Sequence, residues 1–367
     1  MKKNLFENLK ILYYILSLAY MLHTQPAQCK DIDHQSHRIG VVYGLTGPAH
    51  VWGEYGRLGL ELARDEINAA GGVAGKKIEL LIEDSKTLPA QAVSAYTKLA
   101  TVNKVPIVIG DVWDFITNPM VALAKRDGTV LFTPTTMPNA LQMRARNVFT
   151  MGHKEESISD AAEQFFKGNP AVKRIGIVCW DDAWGQTYLR VWRQAIEKAG
   201  AHEAITVCTN DFNTDYRTEI LKIASKNVDA IFVAHLAEVA LRRIKEQGLK
   251  VSVLTTSNVV EDLKAKQAPK EIFEGVHFTD WKPSDDFIEK FNLKYGKEPL
   301  VEAYLSYDTL HALAKALALG EVDLPKALVT VRYQGSAGMI DLSDPISANQ
   351  SKAKLYRISA GEIEAVQ

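Results

Sequence analysis

Short apolar runs of strand character alternate with amphipathic helical stretches along most of the chain, and that rhythm decides the fold class before any single residue is considered. RIGVVYGL, beginning at Arg38, reads as a buried strand. Residues 54–70 follow, with Leu58, Leu62 and Ile67 at near-helical spacing and Gly71-Gly72 as the stop signal. Strands are predicted at 77–83, 106–109 and 130–133, with helices at 89–102 and 119–127 between them. After Phe149 the rhythm restarts: helices at 159–167, 186–199, 216–226 and 236–247 alternate with strands at 174–179, 202–208, 230–233 and 251–254. Strands joined through helices lie parallel with right-handed crossovers, and a parallel sheet needs helices on both faces. The expected fold is α/β, with two doubly wound parallel-sheet lobes. A chain of 367 residues, 47% of them apolar, is large enough for two cores.

Three extended segments, 149–153, 276–282 and about 335–342, carry few helix formers and separate the periodic stretches. They are expected to be three crossovers joining the lobes, which assigns 38–150 plus 282–337 to lobe 1 and 151–281 plus 338–367 to lobe 2. A triple crossing makes a hinge with a defined closing direction, and ligands of parallel α/β sheets sit beyond the carboxyl ends of the strands. The cleft is therefore the expected site.

Residues 1–29 read as a signal peptide. Lys2, Lys3 and Lys10 precede the uncharged run ILYYILSLAYML at 11–22, and small residues follow around Pro26 and Ala27, with cleavage after Ala27 or Cys29. Twelve residues cover only about 18 Å as a helix, against a hydrocarbon core of roughly 30 Å. Soluble export is expected, since no other apolar run of the sequence approaches the roughly 18 residues of a membrane span. Pro26-Ala27-Gln28 before Cys29 makes a poor lipoprotein signal. Cys29, Cys179 and Cys208 are too few for a disulfide framework. Cys179 in IGIVCW and Cys208 in AITVC are expected as buried free thiols, and a bridge between them would need neighbouring strands in register.

Forty-three basic residues balance 44 acidic ones without a concentrated run of either sign, which leaves no footprint for nucleic acid. The dinucleotide, P-loop, zincin, hydrolase-elbow and paired C-x-x-C motifs are all missing from the sequence. No cofactor, no metal and no enzymatic activity is expected. His34 and His37 read as residues of a solvated tail rather than metal ligands.

One stretch is more specific. GVVYGLTGPAHVWGEYGRLGLELARDEINAAGGVAGKKIELLIEDSKTLPAQAV, residues 40–93, resembles the leucine/isoleucine/valine-type periplasmic binding proteins, the solute receptors of ABC importers. Later segments agree in order: IVIGD at 107–111, LFTPTT at 131–136, IGIVCWDDAWGQT at 175–187, NVDAIFVA at 227–234, FNLKYGKEP at 291–299 and AYLSYDTLHALAKAL at 303–317. The resemblance covers about residues 38–360. It implies the type I periplasmic binding protein fold, a periplasmic location, closure on a small ligand, and only peripheral docking at the membrane, on an ABC permease with its ATPase. A ligand-sensing module of a signalling or regulatory system is the alternative that the same fold would serve.

Candidate ligand-binding residues follow the strands. Trp52 stands in a loop with Gly44 and Gly47, either facing the cleft or filling the lobe core; the resemblance implies a ligand-contacting Trp or Tyr there. It also implies hydroxyl residues after the third and fourth strands, holding a ligand carboxylate. Here the third strand is followed by Trp113 and Asp114, and the fourth by Thr135, Thr136 and Met137. An ionised Asp114 about 4 Å from a ligand carboxylate would repel it by roughly 4 kcal/mol at an effective dielectric constant of 20. Asp114 either faces the cleft, favouring an ammonium, amide or hydroxyl, or caps the next helix, for which Asn118-Pro119 is an equally good start. In the second lobe, Trp184 takes the place of an implied ligand-packing Tyr. Asp181 and Asp182 before it are helix caps or ligand contacts. His235 and Ser257 follow the next two strands; where the resemblance implies an acidic partner for a ligand ammonium, Ser257 carries no charge. The expected ligand is an amino acid, amide, amine or aromatic compound, with an apolar or aromatic part to meet Trp52, Trp113, Trp184 and Met137.

Overall fold

The structure, a computed structural model, describes residues 36–366 apart from 49, 137–144, 212–213, 266–267 and 346–347. The expected signal peptide, Cys29, His34 and Met137 lie outside the described residues. The first sheet is built from β1 (Ser36–Tyr43), α1 (His50–Ala69), β2 (Lys77–Asp84), α2 (Pro89–Thr97), β3 (Ile107–Ile109), α3 (Asp114–Asp127), β4 (Val130–Thr133) and β5 (Val148–Thr150). Its five strands run in the order β2-β1-β3-β4-β5, with parallel pairing of β1 to β3, β3 to β4 and β4 to β5. The second follows with α4 (Glu156–Gly168), β6 (Arg174–Trp180), α5 (Ala183–Lys198), β7 (His202–Thr209), α6 (Arg217–Ala224), β8 (Ala230–Val233), α7 (Ala237–Glu246), β9 (Ser252–Thr256), α8 (Val259–Ala265) and β10 (His277–Asp280). Here β7-β6-β8-β9-β10 repeat the order of the first sheet, all parallel. In each sheet the order reverses beside its first strand, which opens a crevice at the carboxyl ends.

Strand periodicity explains the layers. Val41, Tyr43, Ile107, Ile109 and Phe132 face one core, while the intervening Val42, Val108 and Leu131 face another under α2 and α3. The second sheet divides likewise, with Ile175, Ile177 and Phe232 against α4 and α5, and Val178, Ile231 and Val233 against α6 and α7. The chain then returns through α9 (Asp285–Tyr295), α10 (Val301–Ala318) and α11 (Leu324–Leu328) to a small antiparallel pair, β11 (Arg332–Gln334) and β12 (Met339–Asp341). Twelve of the 18 residues of α10 are buried, so this helix is interior on most of its circumference. β13 (Lys354–Ser359) and β14 (Glu362–Ala365) finish the second sheet antiparallel, β13 pairing with β10.

Several expectations are corrected. α3 begins at Asp114 and carries Pro119 inside it, with Trp113 as the N-cap, so Asn118-Pro119 is not the start of the helix. Asp114 does not cap it either, being its first residue. Cys179 and Cys208 are register partners on β6 and β7 and are joined by a disulfide, with Cα atoms 4.4 Å apart. Cys179 is buried, but Cys208 is exposed because β7 is an edge strand. They are neither free nor both buried. His37 belongs to β1, where its Nε2 is 3.0 Å from Val73 O, and is not a tail residue. Residues after 338 do not pass directly to the second sheet: Ile340, Leu342 and Ala348 remain in the first core, and the chain reaches the second sheet only at β13.

Trp281, Tyr304 and Ser351, distant in the chain, meet at His153. Its ring stacks on Trp281 at 4.4 Å and 3°, and is hydrogen-bonded through Nδ1 to Ser351 Oγ (2.8 Å) and through Nε2 to the Tyr304 hydroxyl (2.9 Å). Tyr304 of α10 donates onward to Trp281 O at 3.0 Å. Burial holds His153 neutral, with a pKa lowered to about 3.

Candidate ligand-binding cleft

A cavity of about 210 Å³ opens where the strand ends of both sheets converge. Trp52, in the first turn of α1, reaches it because Gly53 lets that turn approach β1: a Cβ there would stand 2.2 Å from Gly44 O. The preceding loop is pinned by Asp84, whose Oδ1 accepts from Leu45 N–H (2.9 Å) and whose Oδ2 accepts from the Thr46 hydroxyl (2.6 Å). Asp111, fully buried after β3, ties the strand ends together. Its Oδ2 accepts from the Ser85 hydroxyl (2.9 Å), its Oδ1 from Trp113 N–H (3.2 Å), and its carbonyl from the hydroxyls of Thr133 (2.7 Å) and Thr117 (3.1 Å). That network sets Trp113 and Asp114 at the cavity.

All the described candidates line this one cavity. From the first sheet come Trp52, Trp113, Asp114, Thr135 and Thr136; from the second come Asp182, Trp184, His235 and Ser257. Trp52 is half-buried, 5.3 Å from Trp113 ring to ring, and its Nε1–H donates to Glu261 Oε1 of α8 at 3.0 Å. Phe115 meets Trp113 edge-on at 5.3 Å. On the other wall Trp184 packs on Tyr188 (4.7 Å), and Trp180 lies 4.5 Å from His235. Burial lowers the pKa of His235 to about 4, so its ring is neutral at neutral pH.

The carboxylates are less evenly satisfied. Asp114 Oδ1 accepts from Phe115 N–H at 2.7 Å, but its Oδ2 is buried without a partner. Burial pushes this group up to about 6, and the charge of Asp182 from the opposite wall adds to the rise. Asp182 caps α5 by accepting from Gly185 N–H at 2.7 Å and also lines the cavity. Glu155 is paired with Arg190 at 2.8 Å. Glu302 of α10 lines the cavity with Oε2 buried and unpartnered; burial first, then the charges of Glu261 and Asp280, push it up to about 8. Asp280 does not line the cavity; burial pushes it up to about 7, and the neighbouring Ser257 side chain counters part of that rise, so an acidic group lies beside the residue named by sequence.

The sequence reading missed Trp180, Trp281, His153, Glu155 and Glu302, which share the same cavity. Trp180 and Trp281 each stand at or just beyond the end of a strand, the position that had singled out the others. Glu302 carried no local signal, because its helix returns to the cleft from more than 100 residues beyond the β6 wall.

These titrations fix the sign of a pH dependence. Burial raises Asp111, Asp280 and Asp308 to about 7, and Glu302 to about 8, so the folded chain keeps protons that the unfolded chain releases above about pH 4. His153, lowered to about 3, and His235, His277 and His311, lowered to about 4, act oppositely, costing stability as pH falls below about 6.5. The two sets oppose each other between about pH 4 and 6.5; above it only the carboxylates still titrate, so stability falls. The melting temperature of the ligand-free protein is expected to drop by several degrees between pH 6.5 and 8.5. A scan that is flat or rising over that interval would contradict these burial shifts.

The periplasmic binding protein family model matches residues 36–362. An amino acid binding protein of Pseudomonas aeruginosa is 27% identical over 289 residues, covering 76% of this chain and 77% of that protein. Two solved structures share the fold. A branched-chain amino acid transporter substrate-binding protein of Streptococcus pneumoniae in complex with isoleucine is 22% identical, at TM-score 0.78, covering 90% of this chain and 99% of that one. A solute-binding protein of an ABC transporter from R. palustris in complex with benzoate is 19% identical, at TM-score 0.77, covering 90% and 95%. With both sheets, the cleft at their strand ends and the family match in agreement, the chain belongs to the type I periplasmic binding proteins, which bind solutes and are not enzymes.

Proposed function

We propose that this protein is the periplasmic receptor of an ABC importer, which captures an amino acid or related small organic compound by hinge closure and delivers it to a membrane permease driven by its ATPase. The observation that carries the reading is the convergence of residues from both sheets on one cavity, with Trp52 of α1 hydrogen-bonded to Glu261 of α8. A ligand held there contacts both halves, so its binding energy favours the closed arrangement. In this reading Trp52, Trp113 and Trp184 grip the apolar part of the ligand, while Thr135, Thr136, Asp114, Asp182, His235 and Ser257 meet its polar groups. Isoleucine and benzoate, bound by two proteins of this fold, are of the size class intended.

A thermal-shift screen of amino acids, amides, amines and aromatic acids is expected to give at least one strong stabiliser, because a tight ligand raises stability by mass action. Small-angle scattering with that compound should show a more compact particle. Trp184→Ala should weaken its affinity by about 30-fold, the loss of roughly 2 kcal/mol typical of a buried aromatic anchor. An unchanged scattering profile at saturation, or wild-type affinity in Trp184→Ala, would remove the clamp from the mechanism.

A further inference from the structure

The charge balance of the cleft narrows the ligand class. Among the described residues the cavity wall carries four carboxylates, Asp114, Glu155, Asp182 and Glu302, and no lysine or arginine. Arg190, from outside the wall, pairs with Glu155 and with Glu156, and of the four wall carboxylates it meets only Glu155. Asp114 Oδ2 and Glu302 Oε2 are both buried without a hydrogen-bond partner, so the wall presents two acceptor atoms that no described donor satisfies. Buried carboxylates are ordinarily paired or hydrogen-bonded. Around them stand five indoles, those of Trp52, Trp113, Trp180, Trp184 and Trp281. An indole face attracts a cation and tolerates its alkyl substituents, whereas it offers a carboxylate nothing.

Resting on the solute-binding reading, we propose that the ligand is an organic cation without a carboxylate, an amine or quaternary ammonium compound with a flat or apolar portion, held by Asp114 as its counter-charge. An amino acid zwitterion would bring its own carboxylate into a wall whose described charged groups are all acidic. An inorganic cation fits poorly, since the described residues contain no cluster of three or more metal-ligating side chains and indoles supply no hard oxygen ligand.

The test compares ligands that share one ring and differ in charge: phenethylamine (cation), phenylalanine (zwitterion), phenylacetate (anion) and phenylacetamide (neutral), with choline as a compact cation. Calorimetry at pH 7.5 on the full protein is expected to show phenethylamine or choline binding at least 10-fold more tightly than phenylalanine and phenylacetate. Asp114→Asn, which keeps the acceptor for Phe115 N–H, should weaken the favoured cation by at least 10-fold. Should that variant fail to fold, Asp182→Asn, which can still cap α5, is measured instead and should weaken the same cation. Phenylalanine or phenylacetate bound as tightly as the cations, or cation affinity untouched in the folded variant, overturns the proposal. Binding confined to phenylalanine, phenylacetate or phenylacetamide sinks the cation assignment and leaves solute capture standing, whereas silence from these probes and from the wider screen sinks both.

Discussion

Replacing Gly59 with valine is expected to lower folding stability by about 3 kcal/mol or more, because the two helices that meet there have backbone against backbone. A Cβ on Gly59 of α1 would stand 1.9 Å from Ala303 O, 2.7 Å from its carbonyl carbon and 2.9 Å from its Cα. None of these atoms can turn aside as a side-chain end would. Ala303 opens the run from Ala303 to Leu310 in which every residue of α10 is buried, so the helix has no free side toward which to retreat. The effect should reach the cleft, since Glu302 and Leu305 of the same turns line the cavity and Tyr304 is bonded to His153. Urea unfolding followed by far-ultraviolet circular dichroism measures the loss; Gly59→Ala should destabilise with the same sign. A loss under about 1 kcal/mol for valine would mean that α1 and α10 separate more easily than their packing implies.

Loss of the Cys179–Cys208 bridge is expected to cost about 3.6 kcal/mol, the chain-entropy value for a loop closed over a separation of 29 residues. The consequence should be local in the first instance. β7 pairs only with β6, being the outermost strand of its sheet, and Asp181 N–H is bonded to Thr209 O just beyond the bridge. Freeing β7 therefore loosens the same strand end that presents Trp180 and Asp182 to the cavity. Unfolding of the double Cys→Ala variant, with hydrogen exchange of β7 amides, reads both parts. A stability change under about 1 kcal/mol with protected β7 amides would show that the strand ladder alone secures this edge.

The layers of the fold were legible because a buried parallel strand and a two-faced helix each leave a repeating pattern, and the alternation of the two leaves few ways to connect them. The loops after β1, β3, β4, β6, β8 and β9 could be picked out for the same reason, which brought nine of the ten named candidates to one cavity; Met137 is outside the described residues. What escaped depended on register and on distant returns of the chain. Whether Cys179 faces Cys208 turns on a one-residue choice of strand pairing that composition does not encode. Ile340 and Leu342 looked like a passage between lobes, because a short extended segment has the same pattern whether it crosses a gap or folds back as β12. Glu302 sits in a helix that reads as ordinary interior packing, and only the three-dimensional path reveals it as an acid in the cleft. Asn118-Pro119 misled for a sharper reason: proline is a good helix starter, yet it also survives deeper in a helix, where it leaves one carbonyl without its usual donor.

Six tryptophans occur in the whole chain; Trp192 is packed inside the core of the second sheet, and the other five border the cavity. Five of the six indole emitters therefore border that cavity, so a guest held there is expected to change the intrinsic fluorescence without any attached dye.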